Sequence, residues 1–136
     1  MPAFRSFVAA LCLTCLSLPL AAQTPMTAAE FEAYVTGRTL TFGFEGQAYG
    51  VEEFRPGRRT TWAFMGEDCR EGHWFDRDEQ ICFIYDDMPA QEHCWIFWRG
   101  ENGLNARFMS EEDGTELYEV QQSARPLMCL GPEVGV

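Results

Sequence analysis

The sequence predicts a mainly β protein: an antiparallel meander of about eight short strands forming a small barrel or a strongly twisted sheet, with one short N-terminal helix. Three observations carry that prediction. Short runs rich in β-branched and aromatic residues recur at near-regular spacing, and tight-turn signals separate them without any crossover-length connection. Closure into a barrel removes the unpaired edges that an open meander leaves. The third observation is local: Cys82 and Cys94 lie at mirror positions about Met88, each inside an aromatic-rich run, as in a hairpin clamped by a disulfide.

Residues 1–22 read as a secretory signal peptide. Met1–Ser6 carries one positive charge, Arg5; Phe7–Leu18 is apolar apart from Thr14 and Ser17; Leu20-Ala21-Ala22 ends the segment. The apolar run is too short for a membrane span, which needs about 20 residues. Neither Cys12 nor Cys15 follows a lipobox. Cleavage after Ala22 leaves 114 of the 136 residues, enough for a single disulfide-bonded β domain over 23–136. It also removes Arg5, so the formal charge moves from −11 to −12, and no lysine is present anywhere. Such a chain lacks the cationic patch that binds phosphate, which argues against nucleic acid and anionic lipid.

The helix is predicted at Thr27-Ala28-Ala29-Glu30, a capping box with Met26 and Phe31 as a hydrophobic staple and Gly37 as the stop. Strands are predicted at Arg38–Phe44, Ala48–Phe54, Arg58–Met65, Gly72–Phe75, Gln80–Tyr85, Cys94–Arg99, Asn105–Met109 and Glu116–Gln122. Glu45-Gly46, Pro56-Gly57, Asp76–Glu79, Asp86–Gln91, Asn102-Gly103 and Asp113-Gly114 supply the turns, and Cys69 sits in a looser acidic connection, Gly66–Glu71.

Four cysteines follow the leader, an even count that implies disulfides in an oxidising compartment, periplasmic or extracellular. A hairpin centred on Met88 sets Cys82 opposite Cys94, at a spacing a disulfide can bridge. Cys69 and Cys129 then pair by elimination. The chain-entropy model assigns about 3 kcal/mol to the short loop and about 4 kcal/mol to the long one.

The same register sorts the hairpin into faces. Ile81, Phe83, Tyr85, His93, Trp95 and Phe97 form an almost wholly apolar face, expected to line the barrel. The other face carries the disulfide with Ile96 and Trp98 beside it. Those two need a cover, from the N-terminal helix or from Pro126–Leu130, and otherwise mark a partner surface. Candidate ligand- or partner-binding residues are therefore Tyr85, His93, Trp95, Ile96, Phe97 and Trp98.

No catalytic or cofactor motif stands out. Cys69, His73, Cys82, His93 and Cys94 lack a C-x-x-C pair, and oxidation removes the thiolate that zinc needs, so no metal is expected. The acidic turns Asp76–Glu79 and Glu111–Gly114 do not follow the calcium-loop pattern. There is no G-x-S-x-G, and the only serines after the leader are Ser110 and Ser123. With 21 acidic residues, a carboxylate pair is uninformative. Most of the aromatic residues belong in the core, and an eight-stranded barrel has room either for packed side chains or for one small ligand.

The order Gly72-x-Trp74, Ile81-Cys82-Phe83-x-Tyr85 and Cys94-Trp95-x-Phe97 resembles small exported bacterial proteins of a domain of unknown function, over Thr27 to Gln122. That resemblance implies an N-terminal helix followed by a β core, and brings no activity or cofactor. A looser similarity is to calycin-type barrels, including exported bacterial inhibitors of metalloproteases; it is one of fold.

The expectation is thus a monomeric, exported, non-enzymatic binding module without a cofactor. It would meet another exported protein through the patch at Ile96 and Trp98 or through the N-terminal segment. The alternative is a carrier of a small apolar ligand, and a third reading is an acid–base enzyme built on His93 or His73.

Overall fold

The computed structural model describes residues 23–112 and 114–129; residues 1–22, expected to be a signal peptide, lie outside the described residues, as do Asp113 of one expected turn and Leu130. Among the described residues a single α-helix, α1 (Ala28–Val35), precedes eight strands, with a short 3-10 turn at Pro56–Arg58 between the second and third: β1 (Thr39–Phe44), β2 (Gln47–Arg55), β3 (Arg59–Phe64), β4 (Arg70–Arg77), β5 (Gln80–Tyr85), β6 (His93–Gly100), β7 (Gly103–Phe108) and β8 (Glu116–Ser123). Each strand pairs antiparallel with its chain neighbour, and β1 also pairs with β8, so the meander closes into a barrel rather than a twisted open sheet.

All eight predicted strands form, with ends shifted by up to a few residues. The largest departure is β4, which runs on to Arg77. The expected turn Asp76–Glu79 therefore shrinks to Asp78-Glu79, both with positive φ (51° and 62°). That is the two-residue hairpin geometry matching strand twist, here built without glycine. Asp76 belongs to the strand and receives Arg58 at 2.8 Å.

The β5–β6 register is the one expected from Met88, with Cys82 opposite Cys94 and Phe83 opposite His93. Cys82 and Cys94 are disulfide-bonded with Cα atoms 4.0 Å apart, and Cys69 bonds Cys129 at 5.5 Å. The second bridge anchors the C-terminal tail along the outside of the barrel. Thr39 Oγ1 donates to Arg125 O at 2.7 Å, and Leu127 N donates to Glu53 Oε2 at 2.9 Å, so this tail crosses β1 and β2.

The capping box forms as predicted: Glu30 N donates to Thr27 Oγ1, and Thr27 N donates to Glu30 Oε2. Gly37, at φ 79°, follows the last turn. The helix does not lie over the outer sheet face. It closes one end of the barrel, with Phe31 driven inward at 0% exposure onto Phe54, Trp74 and Phe97 (centroids 5.6, 5.1 and 4.5 Å). Two backbone bonds dock it: Met26 N to Phe97 O (2.7 Å) before the helix, and Gly37 N to Phe54 O (2.8 Å) after it. Arg58 reinforces the closure, stacking over Trp74 at 4.4 Å and reaching Glu32 at 3.4 Å.

Candidate functional site

The barrel is plugged at one end and hollow beyond the plug. A cavity of about 280 Å³ occupies the half of the barrel opposite α1. Its floor is Phe54, Phe83 and Phe97, two of which are the rings that Phe31 backs from below. Phe42, Trp62, Tyr85, Ala106 and Leu117 form the walls. The mouth lies at the strand ends, where Tyr49, Phe64, Arg70, His93 and Phe108 are only partly buried.

The hollow has a sequence cause. Period-two alternation places Gly50, Gly72 and Ala106 on the inward face, where a bulky side chain would fill the lumen. A Cβ on Gly50 would sit 2.3 Å from the Trp62 indole, and one on Gly72 would sit 2.9 Å from the Tyr85 ring and 2.5 Å from Ile84 O. These two glycines admit the rings of Trp62 and Tyr85 against the sheet. Ala106, on β7 between Leu104 and Phe108, leaves its share of the lumen empty.

Into this aromatic chamber projects one carboxyl group. Glu52 sits on β2 between Gly50 and Phe54 and is 4% exposed. Thr60 Oγ1 donates to its Oε1, and the Tyr85 hydroxyl lies 3.3 Å from Oε2 and 3.4 Å from Oε1. None of the ion pairs among the described residues involves it. Burial pushes its pKa up from the ordinary carboxylate range to about 8, against the hydrogen bonds from Thr60 and Tyr85, which act the other way. Burial, and then the nearby Glu52 carboxyl, raise the Tyr85 hydroxyl well above its usual range.

His93 stands at the mouth between Tyr85 (5.8 Å) and Phe108 (6.2 Å). Its Nε2 is buried and has no hydrogen-bond partner. Burial, and then Arg70, lower its pKa, so the ring is neutral near pH 7. No carboxylate is hydrogen-bonded to it among the described residues, and Glu111 is the acidic group that acts on its charge. His73 faces outward on β4, opposite Arg59 and Ile84. Among the described residues no group of three His, Cys, Asp or Glu is placed to hold a metal ion.

Of the six candidate binding residues, Tyr85, His93, Trp95 and Phe97 line the cavity. Ile96 and Trp98 do not; they point to the outer face, as their register requires. Trp98 is only 8% exposed, bordered by Gln23–Met26 ahead of the helix. Glu30, Ala33 and Tyr34 of α1 border the same surface, whereas the tail lies across the barrel on β1 and β2. Glu52, Trp62 and Arg70 escaped the sequence reading. Glu52 was signalled by parity alone: in Val51-Glu52-Glu53-Phe54 one acid must share the inward face with Phe54.

Comparison with protein-family models, with curated proteins and with solved structures returns no match.

Proposed function

We propose that this chain is an exported, non-enzymatic binder of a small molecule, taken up in the barrel lumen through the mouth opposite α1. The observation that carries this reading is the aromatic cavity of about 280 Å³ with buried polar groups in its wall. A dry cavity of about 150 Å³ accepts a benzene-sized guest, and drug-sized ligands take about 300 Å³ or more. The space therefore suits a compound of one ring with a short substituent. Few polar groups converging on an apolar pocket are the usual composition of such a site. The two disulfides support an oxidising compartment, and among the described residues no helix is long and apolar enough to cross a membrane. An interaction surface at Ile96 and Trp98 draws less support, because Trp98 is nearly covered.

Native mass spectrometry tests the reading. The oxidised protein and its Ala106→Leu variant are incubated with a mixture of single-ring aromatic compounds and sprayed gently. Added mass on the wild type that the Ala106→Leu variant loses is the expected result, since the leucine enters the lumen away from Glu52. Equal adducts on both proteins, or none on either, would overturn a lumenal site.

A further inference from the structure

We propose that the lumenal ligand is a cation, a protonated amine carried on an aromatic or aliphatic body, with Glu52 as its counter-ion and the surrounding rings as its cage. This rests on the binding reading above and adds the chemical class. Four observations converge on it.

The first is the state of Glu52. It is a buried carboxyl group in the wall of the lumen, met by two hydroxyl donors and by no cationic side chain. A buried carboxylate is costly unless a positive charge pairs with it. All the ion pairs of the described residues join partly exposed side chains, and Glu52 is in none of them. The second is the wall beside it. Trp62 is the direct cross-strand partner of Glu52, and Tyr49 and Phe64 pack on that indole at 6.2 and 5.3 Å. Ring faces attract a desolvated cation.

The third is the count of acceptors. An ammonium has three N–H donors. Glu52 Oε2 and the Tyr85 oxygen, 3.3 Å apart on the chamber wall, can accept two of them. The fourth is long range. A chain with net charge −11 and no lysine draws cations toward itself and repels anions.

Arg70 is the one lining group that speaks for an anion, and it is already engaged. Its Nε lies 3.4 Å from Asp87, and its guanidinium packs over Phe64 at 5.8 Å. Glu111 also lines the mouth, so the entrance presents no excess of positive charge.

Pairing with an ammonium requires ionised Glu52, so uptake of the amine releases the proton that burial holds there. The charged or titratable groups facing the same lumen are Tyr49, Tyr85, His93, Arg70 and Glu111. Burial raises the Tyr85 hydroxyl further above the interval between pH 6 and 8, and His93 is driven toward its neutral form. Amine affinity should therefore rise toward pH 8, by up to about tenfold per pH unit while Glu52 remains protonated in the empty protein.

The experiment is calorimetry of the oxidised protein with three probes of one shape: phenylbutylamine, phenylbutanol and phenylbutyrate. The amine should bind on the order of 30-fold more tightly than the alcohol at pH 8, and the butyrate most weakly. Titrations in two buffers of different ionisation enthalpy should show close to one proton released at pH 7. Glu52→Gln should abolish the amine preference, the proton release and the pH dependence. Tyr85→Phe keeps the carboxyl and should reduce the preference only in part, which guards against a misfolded first variant. Equal or tighter binding of the alcohol or butyrate overturns the amine assignment and leaves the cavity reading standing. If none of the three binds, the cavity reading falls and the amine with it.

Discussion

Glu52 makes the empty protein sensitive to mild alkali, and the size of the effect follows from its surroundings. The folded state raises its pKa to about 8 because burial penalises the charged form. In the unfolded chain it titrates near the ordinary value of 4.5. Between those values the folded protein holds a proton that the unfolded chain has already released. Rising pH therefore favours unfolding across that window, with a slope of a little over 1 kcal/mol per pH unit. From pH 6.5 to 8 the loss should reach about 2 kcal/mol.

That interval separates Glu52 from the other shifted groups. His93, lowered by burial, costs stability only as pH falls through its unfolded value of 6.5. Tyr34 and Tyr85 are raised from 10 and titrate above it, and Glu30 and Glu71, lowered from 4.5, titrate below it. The assay is urea unfolding with disulfides intact, at half-unit pH steps, for the wild type and Glu52→Gln. Wild-type midpoints should decline steadily from pH 6.5 to 8 while those of the variant stay level. Parallel curves for the two proteins would refute the argument, since they would show that Glu52 ionises freely in the fold.

Three further perturbations probe the frame around the cavity. Phe31→Ala removes the plug ring from between Phe54, Trp74 and Phe97 and should destabilise by about 3–5 kcal/mol, with a matching fall in the denaturation midpoint. Gly50→Ala forces a Cβ into the Trp62 indole, 2.3 Å away; a cost of about 1–3 kcal/mol and an altered near-ultraviolet circular dichroism spectrum are expected, and an unchanged spectrum would place the indole elsewhere. The double variant Cys82→Ala/Cys94→Ala opens the hairpin clamp and should lower stability by about 3 kcal/mol in thermal or urea melts; unchanged stability would show that the clamp contributes little.

Much of the architecture was legible because it depends on local rules. The capping box at Thr27 needs only its own four residues, and alternate residues must face opposite sides of a strand. The spacing of Cys82 and Cys94 about Met88 carried the register of β5 and β6, and with it the inward placement of Tyr85, His93, Trp95 and Phe97. Local rules failed at Asp76–Glu79, where four polar residues resemble a loop. Arg77 pairs with Gln80 and Asp76 with Ile81, so ladder pairing extends the strand into them.

Through these local patterns, eight strands, their neighbours, the disulfide partners and an aromatic inner face could be read from the chain alone. Whether that face encloses a solid core or a chamber was decided only by the tertiary structure. It depends on Gly50, Gly72 and Ala106 meeting in one lumen from β2, β4 and β7, a coincidence no single strand displays. The role of the helix was likewise decided in three dimensions, because its apolar face suits an outer sheet or a barrel end equally well. Glu52 shows the difference most sharply. Beside Glu53 it is one of 21 acidic residues, and only closure of the barrel removes it from water and surrounds it with rings.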